Sequence, residues 1–223
     1  GSEMCIRDRN ITVCAKQIPD PANETSYDNG IIVRPEEQVL DDTDRYGIEV
    51  ALQLKEKFDA EVTIISMGPA GTMKGLQQAL QMGADKALYV DDDSLKGANS
   101  LMTANVLSEL AKTTNADIVI FGTESTDGYS GVIPQQVSRL LGVPCISYIK
   151  AVDIDESVTL TRQTSTGSEK VIMPTNCVLS VTAGGVEPRY PNFKDIMAAK
   201  SKPIERISIA DINYDSQQNL EFI

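Results

Sequence analysis

Residues 62–90 read VTIISMGPAGTMKGLQQALQMGADKALYV, and they carry two periodicities in one short stretch. The β-branched run EVTIISM (61–67) predicts a strand, and Gly68-Pro69 a turn. Residues 70–82 then read as a helix stopped by Gly83, and ALYV (87–90) as a further strand. Strand, helix and strand in that order make a βαβ unit, which needs a parallel sheet.

Working outward, the same alternation repeats. ITVCA (11–15) predicts the first strand, and IIVRP (31–35) a short extended piece kept at an edge by Pro35. Residues 41–58 predict a helix that Asp41, Asp42 or Thr43 can cap. Lys55 and Lys57 lie near its end, and Ile48, Ala51, Leu52 and Leu54 form its apolar stripe. Downstream, residues 98–113 read as a helix burying Leu101, Ala104, Leu107, Leu110 and Ala111. DIVIFG (117–122) reads as a central buried strand.

The irregular stretch GTESTDGYSG (122–131) leads into a helix reaching about Leu141. CISYI (145–149) predicts a strand, residues 157–163 and 169–173 a hairpin around TSTGS, and CVLSVTA (177–183) the last strand. GGVEPRYPNFKDIMAAKSK then reads as a loop leading into a short helix. The tail after Lys202 is mostly polar and suits a surface arm. The expected architecture is an α/β fold with a mainly parallel, Rossmann-like sheet flanked by helices, plus a β-hairpin and a C-terminal arm. Its expected divisions are a leader at 1–9, a nucleotide-binding domain at 10–183, and a loop and arm at 184–223. The leader GSEMCIRDR has no periodicity, and Gly1-Ser2 looks like a tag remnant.

Composition narrows the function. The chain has 223 residues and a net charge of −12, which disfavours nucleic acid and anionic membranes as partners. No apolar run approaches the roughly 20 residues of a membrane span, and no signal peptide is evident, so a cytoplasmic protein is expected. With no histidine, Ser-His and Cys-His pairs and histidine metal sites are excluded. Cys5, Cys14, Cys145 and Cys177 form no CxxC, and the last three read as buried small hydrophobes. Asp91-Asp92-Asp93 reads as a solvated strand end, because three consecutive side chains cannot converge on one ion.

Ligands in such sheets bind beyond the C-terminal strand ends, where loops meet helix N-termini. The 122–131 loop is the richest candidate. Gly128 and Gly131 allow close backbone approach, and Ser125, Thr126 and Ser130 carry hydroxyls. The following helix start offers unpaired N–H groups to an anion. Asp127 would repel a phosphate unless it faced a ribose or adenine. Neither GxGxxG nor GxxxxGKS is present. Acid–base work would fall to carboxylates, Lys16 or a tyrosine, and nothing in the sequence pairs them.

Several blocks together resemble the β subunits of electron-transfer flavoproteins. CAKQIPD (14–20) is similar to the family's VKQVPD start, and RYGIEVALQLKEK (45–57) to its ExALxLKE helix. Residues 62–90 resemble its strand–SMGP–helix–ALxMGAD–strand block. GTESTDGYSG (122–131) resembles the NESTDG-type loop of an actinobacterial-like branch. VEPRYPNFKDIMAAKSK (186–202) resembles NEPRYPSFKGIMAAKKK.

The resemblance implies a heterodimer with an α subunit that holds most of the redox FAD. It takes electrons from acyl-CoA or other flavin dehydrogenases and passes them to a quinone reductase or another acceptor. It implies AMP in this chain, or a second FAD in bifurcating members. A stand-alone adenine-nucleotide sensor or hydrolase is the alternative reading. By matching positions, the nucleotide pocket would use Cys14, Ala15, Asp41, Asp44, Met67, Asp127, Gly128, Ser130, Gly131, Val132, Ile133, Gln135 and Ser138. Two features depart from the family pattern: Asp41 stands where many members carry Asn, and GVIP (131–134) replaces an NQTG or AQVG helix start. Pro134 fits the first helical turn, so the helix itself survives.

By the same resemblance a recognition loop, Glu187 to Lys200, would anchor dehydrogenase partners through Glu187, Pro188, Arg189, Tyr190, Phe193, Ile196 and Met197. Its prolines restrict the backbone, and its aromatic and Met side chains offer apolar bulk. Tyr190 and Ile196 fit packing on their own domain equally well. Phe193 occupies the family's anchor position. The family's C-terminal arm embraces the α subunit, and here it is expected to be short, ending at Ile223.

Overall fold

A computed structural model describes residues 9–69, 71, 73–155 and 157–214. Cys5, most of the expected leader and the end of the arm lie outside the described residues. In chain order the elements are β1 (Asn10–Cys14), β2 (Gln17–Ile18), β3 (Tyr27–Asp28), β4 (Ile31–Ile32), β5 (Val39–Leu40) and α1 (Asp42–Phe58). Next come β6 (Glu61–Gly68), α2 (Lys74–Met82), β7 (Lys86–Asp91), α3 (Ser100–Thr113), β8 (Ile118–Gly122) and α4 (Ile133–Leu141). The remainder is β9 (Cys145–Ile154), β10 (Val158–Thr164), β11 (Gly167–Ile172), β12 (Cys177–Val181), α5 (Phe193–Ala199) and β13 (Ile204–Ile207).

The main sheet runs β11-β10-β9-β12-β8-β1-β6-β7-β13. Neighbours from β9 to β13 are parallel, and the β10–β11 hairpin is antiparallel at the other end. Strands β8 and β12 are buried at every residue, which is why they read as continuous apolar runs. Helices α1 and α2 cover one face, burying Ile48, Leu54, Leu76 and Leu80, and Ala199 of α5 joins them. Helices α3 and α4 cover the other with Met102, Leu107, Leu110 and Val137. The chain steps from β1 to β6 and β7 on one side, then returns to β8 on the other. The strand order therefore reverses between β1 and β8, and their C-terminal ends open the crevice where such sheets take ligands.

Several local expectations need correction. Leu101 is half exposed. It sits in the first turn of α3, just outside the sector swept by Met102, Val106 and Leu110 and by Ala104, Leu107 and Ala111. Helix α2 starts at Lys74 rather than residue 70. Its N-cap, Met73, makes no side-chain cap bond, and the Gly75 N–H is met from afar by Gln17 Oε1 at 2.9 Å. Residues Ile31–Ile32 lie off the main sheet and pair with Tyr27–Asp28 in a small hairpin. Cys14 and Cys177 are buried, whereas Cys145 is only half-buried, its thiol 3.4 Å from the Ser147 hydroxyl. The arm after Lys202 is partly sheet: β13 pairs with β7 from Ile204↔Ala87 to Ile207↔Val90.

Of the Asp91–Asp93 run, Asp91 pairs with Arg206 at 2.6 Å and Asp92 caps a short 3-10 turn through Ser94 N–H. The two carboxylates have separate partners, one on β13 and one in the adjoining turn. Among the described residues no helix is long and apolar enough to cross a membrane.

Candidate functional site

The crevice between β1 and β8 is built from three pieces: the end of β1, the start of α1, and the loop after β8. Asp41 caps α1, accepting from Thr43 N–H at 3.0 Å and the Thr43 hydroxyl at 2.9 Å on one oxygen. Its other oxygen accepts from Thr126 N–H at 2.7 Å and the Thr126 hydroxyl at 3.1 Å. Asp41 is fully buried, and all four bonds go to protein groups that staple the 123–127 loop to the helix start. The polar cost of that burial is met by charge-assisted hydrogen bonding.

Asp44, one turn on, lies beneath the same loop. Its carboxylate accepts the Lys16 N–H at 2.7 Å and a backbone bond from Gly122. Burial, reinforced by the Asp41 charge, pushes its pKa up to about 7 despite those two bonds. Cys14 at the end of β1 is buried, and burial next to Asp44 holds its thiol protonated, far above the usual range. Ala15 N–H bonds Ile65 O at 3.0 Å, tying the strand end to β6. Met67, at the end of β6, packs with Cys14 on the α3/α4 side.

Asp127 is the hub of the site. Lys16 Nζ donates to one carboxylate oxygen at 2.6 Å and to Ser125 Oγ at 3.3 Å, while Arg34 Nη2 closes on the other oxygen. Asp127's side chain is 6% exposed. Burial pushes its carboxyl up, but the two cations outweigh burial and hold it below the ordinary range. The sequence alone left Lys16 without an acidic partner; the fold supplies one 111 residues away. Arg34 went unnoticed at the sequence level, because a lone Arg in an extended piece carries no local signal.

Gly128 sits against this cluster, where a Cβ would lie 3.7 Å from Lys16 Nζ and 3.4 Å from Ser125 Oγ. Gly131 has φ +61°, the left-handed region that favours glycine, and admits the chain to α4. The N-cap of α4, Val132, makes no side-chain cap bond, and Pro134 lies in the first turn as expected. Ser130 and Val132 are exposed, and Ile133 is half-buried against the α3/α4 core. Two further candidates face elsewhere. The Gln135 amide meets Ser147 Oγ at 3.0 Å, and the Ser138 hydroxyl donates to Val143 O at 2.6 Å at the far end of α4.

The second candidate surface is the 187–200 segment. Arg189 grips Glu49 of α1 through its backbone N–H at 3.1 Å, Nε at 2.8 Å and Nη2 at 3.0 Å, and reaches Glu56 through Nη1. Asn192 then caps α5 through Asp195 N–H at 3.0 Å. Tyr190 is 90% exposed and Phe193 78%, while Met197 is half exposed and Ile196 half-buried. Glu187 is exposed and Pro188 half-buried. The backbone is fixed and its large apolar side chains point to solvent.

Residues 29–212 match the family described as the electron transfer flavoprotein domain. The chain is 34% identical over 219 residues to the electron transfer flavoprotein subunit beta of Mycobacterium bovis, covering 94% of this chain and 82% of that protein. The protein of the same description from Clostridium acetobutylicum is 32% identical over 210 residues, covering 92% and 81%. That from Bacillus subtilis is 32% identical over 183 residues, covering 81% and 71%. A mainly parallel sheet with its strand order reversing at β1/β8, and matches of this extent, lead to one conclusion: the chain belongs to the electron transfer flavoprotein family, on the side of its beta subunits.

Proposed function

We propose that the chain is the adaptor half of a heterodimeric electron carrier in the cytoplasm, with FAD held mainly by an α-type subunit. Its residues 10–183 serve as a nucleotide-binding domain and 184–223 as the recognition loop and arm. Flavin dehydrogenases, including those acting on acyl-CoA, are the donors, and a quinone reductase is a fitting acceptor. The flavin, when bound, supplies the redox chemistry; this chain's residues bind, orient and dock.

The observation that carries this reading is the 187–197 loop. A surface that exposes Tyr190, Phe193 and Met197 on a backbone tied down at Arg189 is pre-organised for a partner, and such anchors dominate interface energy. The β1/β8 crevice fits a mononucleotide such as AMP. The helix start of α4 lacks a side-chain cap, Gly128 leaves a cradle that a Cβ would narrow, and Lys16 and Arg34 bring two cations to one carboxylate.

Co-expression with an α-type subunit tests the proposal. A yellow heterodimer releasing AMP on denaturation is expected. A colourless chain that never pairs would overturn it, and ATP turnover by the isolated chain would favour an adenine-nucleotide hydrolase instead. Two flavins per dimer would mean that this chain holds its own FAD.

A further inference from the structure

Residues 19–38 leave the body of the fold at the end of β1 and return at the start of α1. The base of this excursion is closed by the antiparallel β2–β5 pair, Gln17↔Leu40 and Ile18↔Val39. Residues 21–30 are exposed throughout, and the tip is the β3–β4 hairpin. Arg34 sits between tip and base. Its Nη1 donates to Gln17 O and Gln38 Oε1, both at 3.2 Å, bracing the guanidinium against the base of the excursion. Its Nη2 crosses to Asp127, 93 residues away in the loop that leads to α4. A segment rooted on the β1 side is thus fastened to the loop on the β8 side, across the crevice where the strand order reverses.

We propose that residues 19–38 are a strap over the nucleotide crevice, latched by Arg34 on Asp127, and that opening this latch governs how fast a mononucleotide leaves. The proposal rests on the nucleotide reading given above. Three charges meet at the latch: two cations and one carboxylate, with Arg34 23% and Asp127 6% exposed at their side chains. The pair is shielded enough to hold, and the cluster carries one net positive charge to face a phosphate. The strap's other ties lie at its base and tip: Glu37 pairs with Lys74 of α2 at 3.3 Å, and Gln38 is buried beside Gly71. Its tip reaches toward Gly97, where a Cβ would lie 3.5 Å from Ile31 Cδ1, and its base is a two-residue ladder. Short ladders and exposed segments are the parts of a fold that open locally.

The test uses the complete chain in its heterodimer, AMP carrying an N-methylanthraniloyl fluorophore as probe, and displacement by excess AMP in a stopped-flow instrument. Arg34→Ala should raise the dissociation rate by about 10-fold, the effect of losing one charge-assisted bond. Arg34→Lys, which keeps the charge but not the fork, should fall between. Hydrogen exchange in residues 19–38 should quicken in Arg34→Ala while the strands of the main sheet keep their protection. If exchange quickens but AMP leaves at the wild-type rate, the strap opens without gating and the proposal fails. If exchange in 19–38 is unchanged, Arg34 is not the latch, and the proposal fails on that ground. A wild-type heterodimer that binds no AMP overturns the nucleotide reading itself, and the gate with it.

Discussion

Arg189 and Glu49 are 140 residues apart, yet three nitrogens of the one converge on the carboxylate of the other. Glu49 is buried on α1, and Gln53 adds a further bond at 3.0 Å. Burial pushes the Glu49 carboxyl up, but the bonds from Arg189 and Gln53 outweigh it and bring the pKa below the ordinary value. The same helix holds Asp41 and Asp44 at its N-terminus, so α1 is the common footing of the β1/β8 crevice and the 187–197 loop.

Arg189→Ala removes both guanidinium bonds to the buried Glu49 and leaves it the backbone N–H of residue 189 and the Gln53 amide. The variant should lose about 1–3 kcal/mol of stability, less than a fully buried pair because Arg189 is partly solvated. In the proposed heterodimer it should also raise the KM for a flavin dehydrogenase, as the loop loses the side-chain half of its tether. Urea unfolding and steady-state kinetics check the two effects separately.

Phe193 presents the opposite case. It is 78% exposed, so Phe193→Ala should leave the unfolding midpoint almost unchanged, within about 0.5 kcal/mol. Partner affinity should fall by about tenfold or more if the ring fills a pocket. Titration of donor dehydrogenase against the variant heterodimer measures it.

Asp41→Asn is conservative in shape but not in hydrogen bonding. Both carboxylate oxygens accept from backbone N–H groups, those of Thr43 and Thr126. An amide nitrogen placed against either would face donor to donor, so a cost of about 1–3 kcal/mol is expected. Faster hydrogen exchange in the 123–128 loop would accompany it. Wild-type stability in Asp41→Asn would show that the loop does not depend on the staple.

Asp44 makes stability depend on pH in an unusual sense for an acid. Its folded value, about 7, lies above its ordinary 3.8, so the native state holds the proton more tightly. The associated stabilisation is fully present below about pH 4 and is lost as pH rises through about 7. Asp127 and Glu49, both lowered, act oppositely: their contribution is present above the ordinary carboxylate range and lost in acid. The stability difference between wild type and Asp44→Asn should therefore shift against wild type by up to about 4 kcal/mol from pH 4 to 8. A flat difference across that range would show that Asp44 does not titrate in it.

Gly185 lies against β9, where an added Cβ would stand 2.5 Å from Lys150 Cα and 2.6 Å from its carbonyl oxygen. Backbone cannot yield as a side chain can, so Gly185→Ala should cost at least about 2 kcal/mol. Thermal unfolding reads it directly.

The alternation of strand and helix was legible in the sequence, because β-branched runs and 3.6-residue stripes are local patterns. So were the cap of α1, narrowed to Asp41, Asp42 or Thr43, and the Pro134 helix start. The 62–90 and 186–202 blocks carried the family. What neighbours in sequence cannot encode is which distant side chains meet. The strand order puts β1 between β6 and β8, and only this brings Lys16 and Arg34 to Asp127 and lets Asp41 staple Thr126. Likewise the polar tail after Lys202 has no strand signature of its own, and pairs because β7 offers an open edge. Local periodicity determined the elements; the crevice, the Arg34–Asp127 contact across it and the braced loop exist only once the sheet orders them in space.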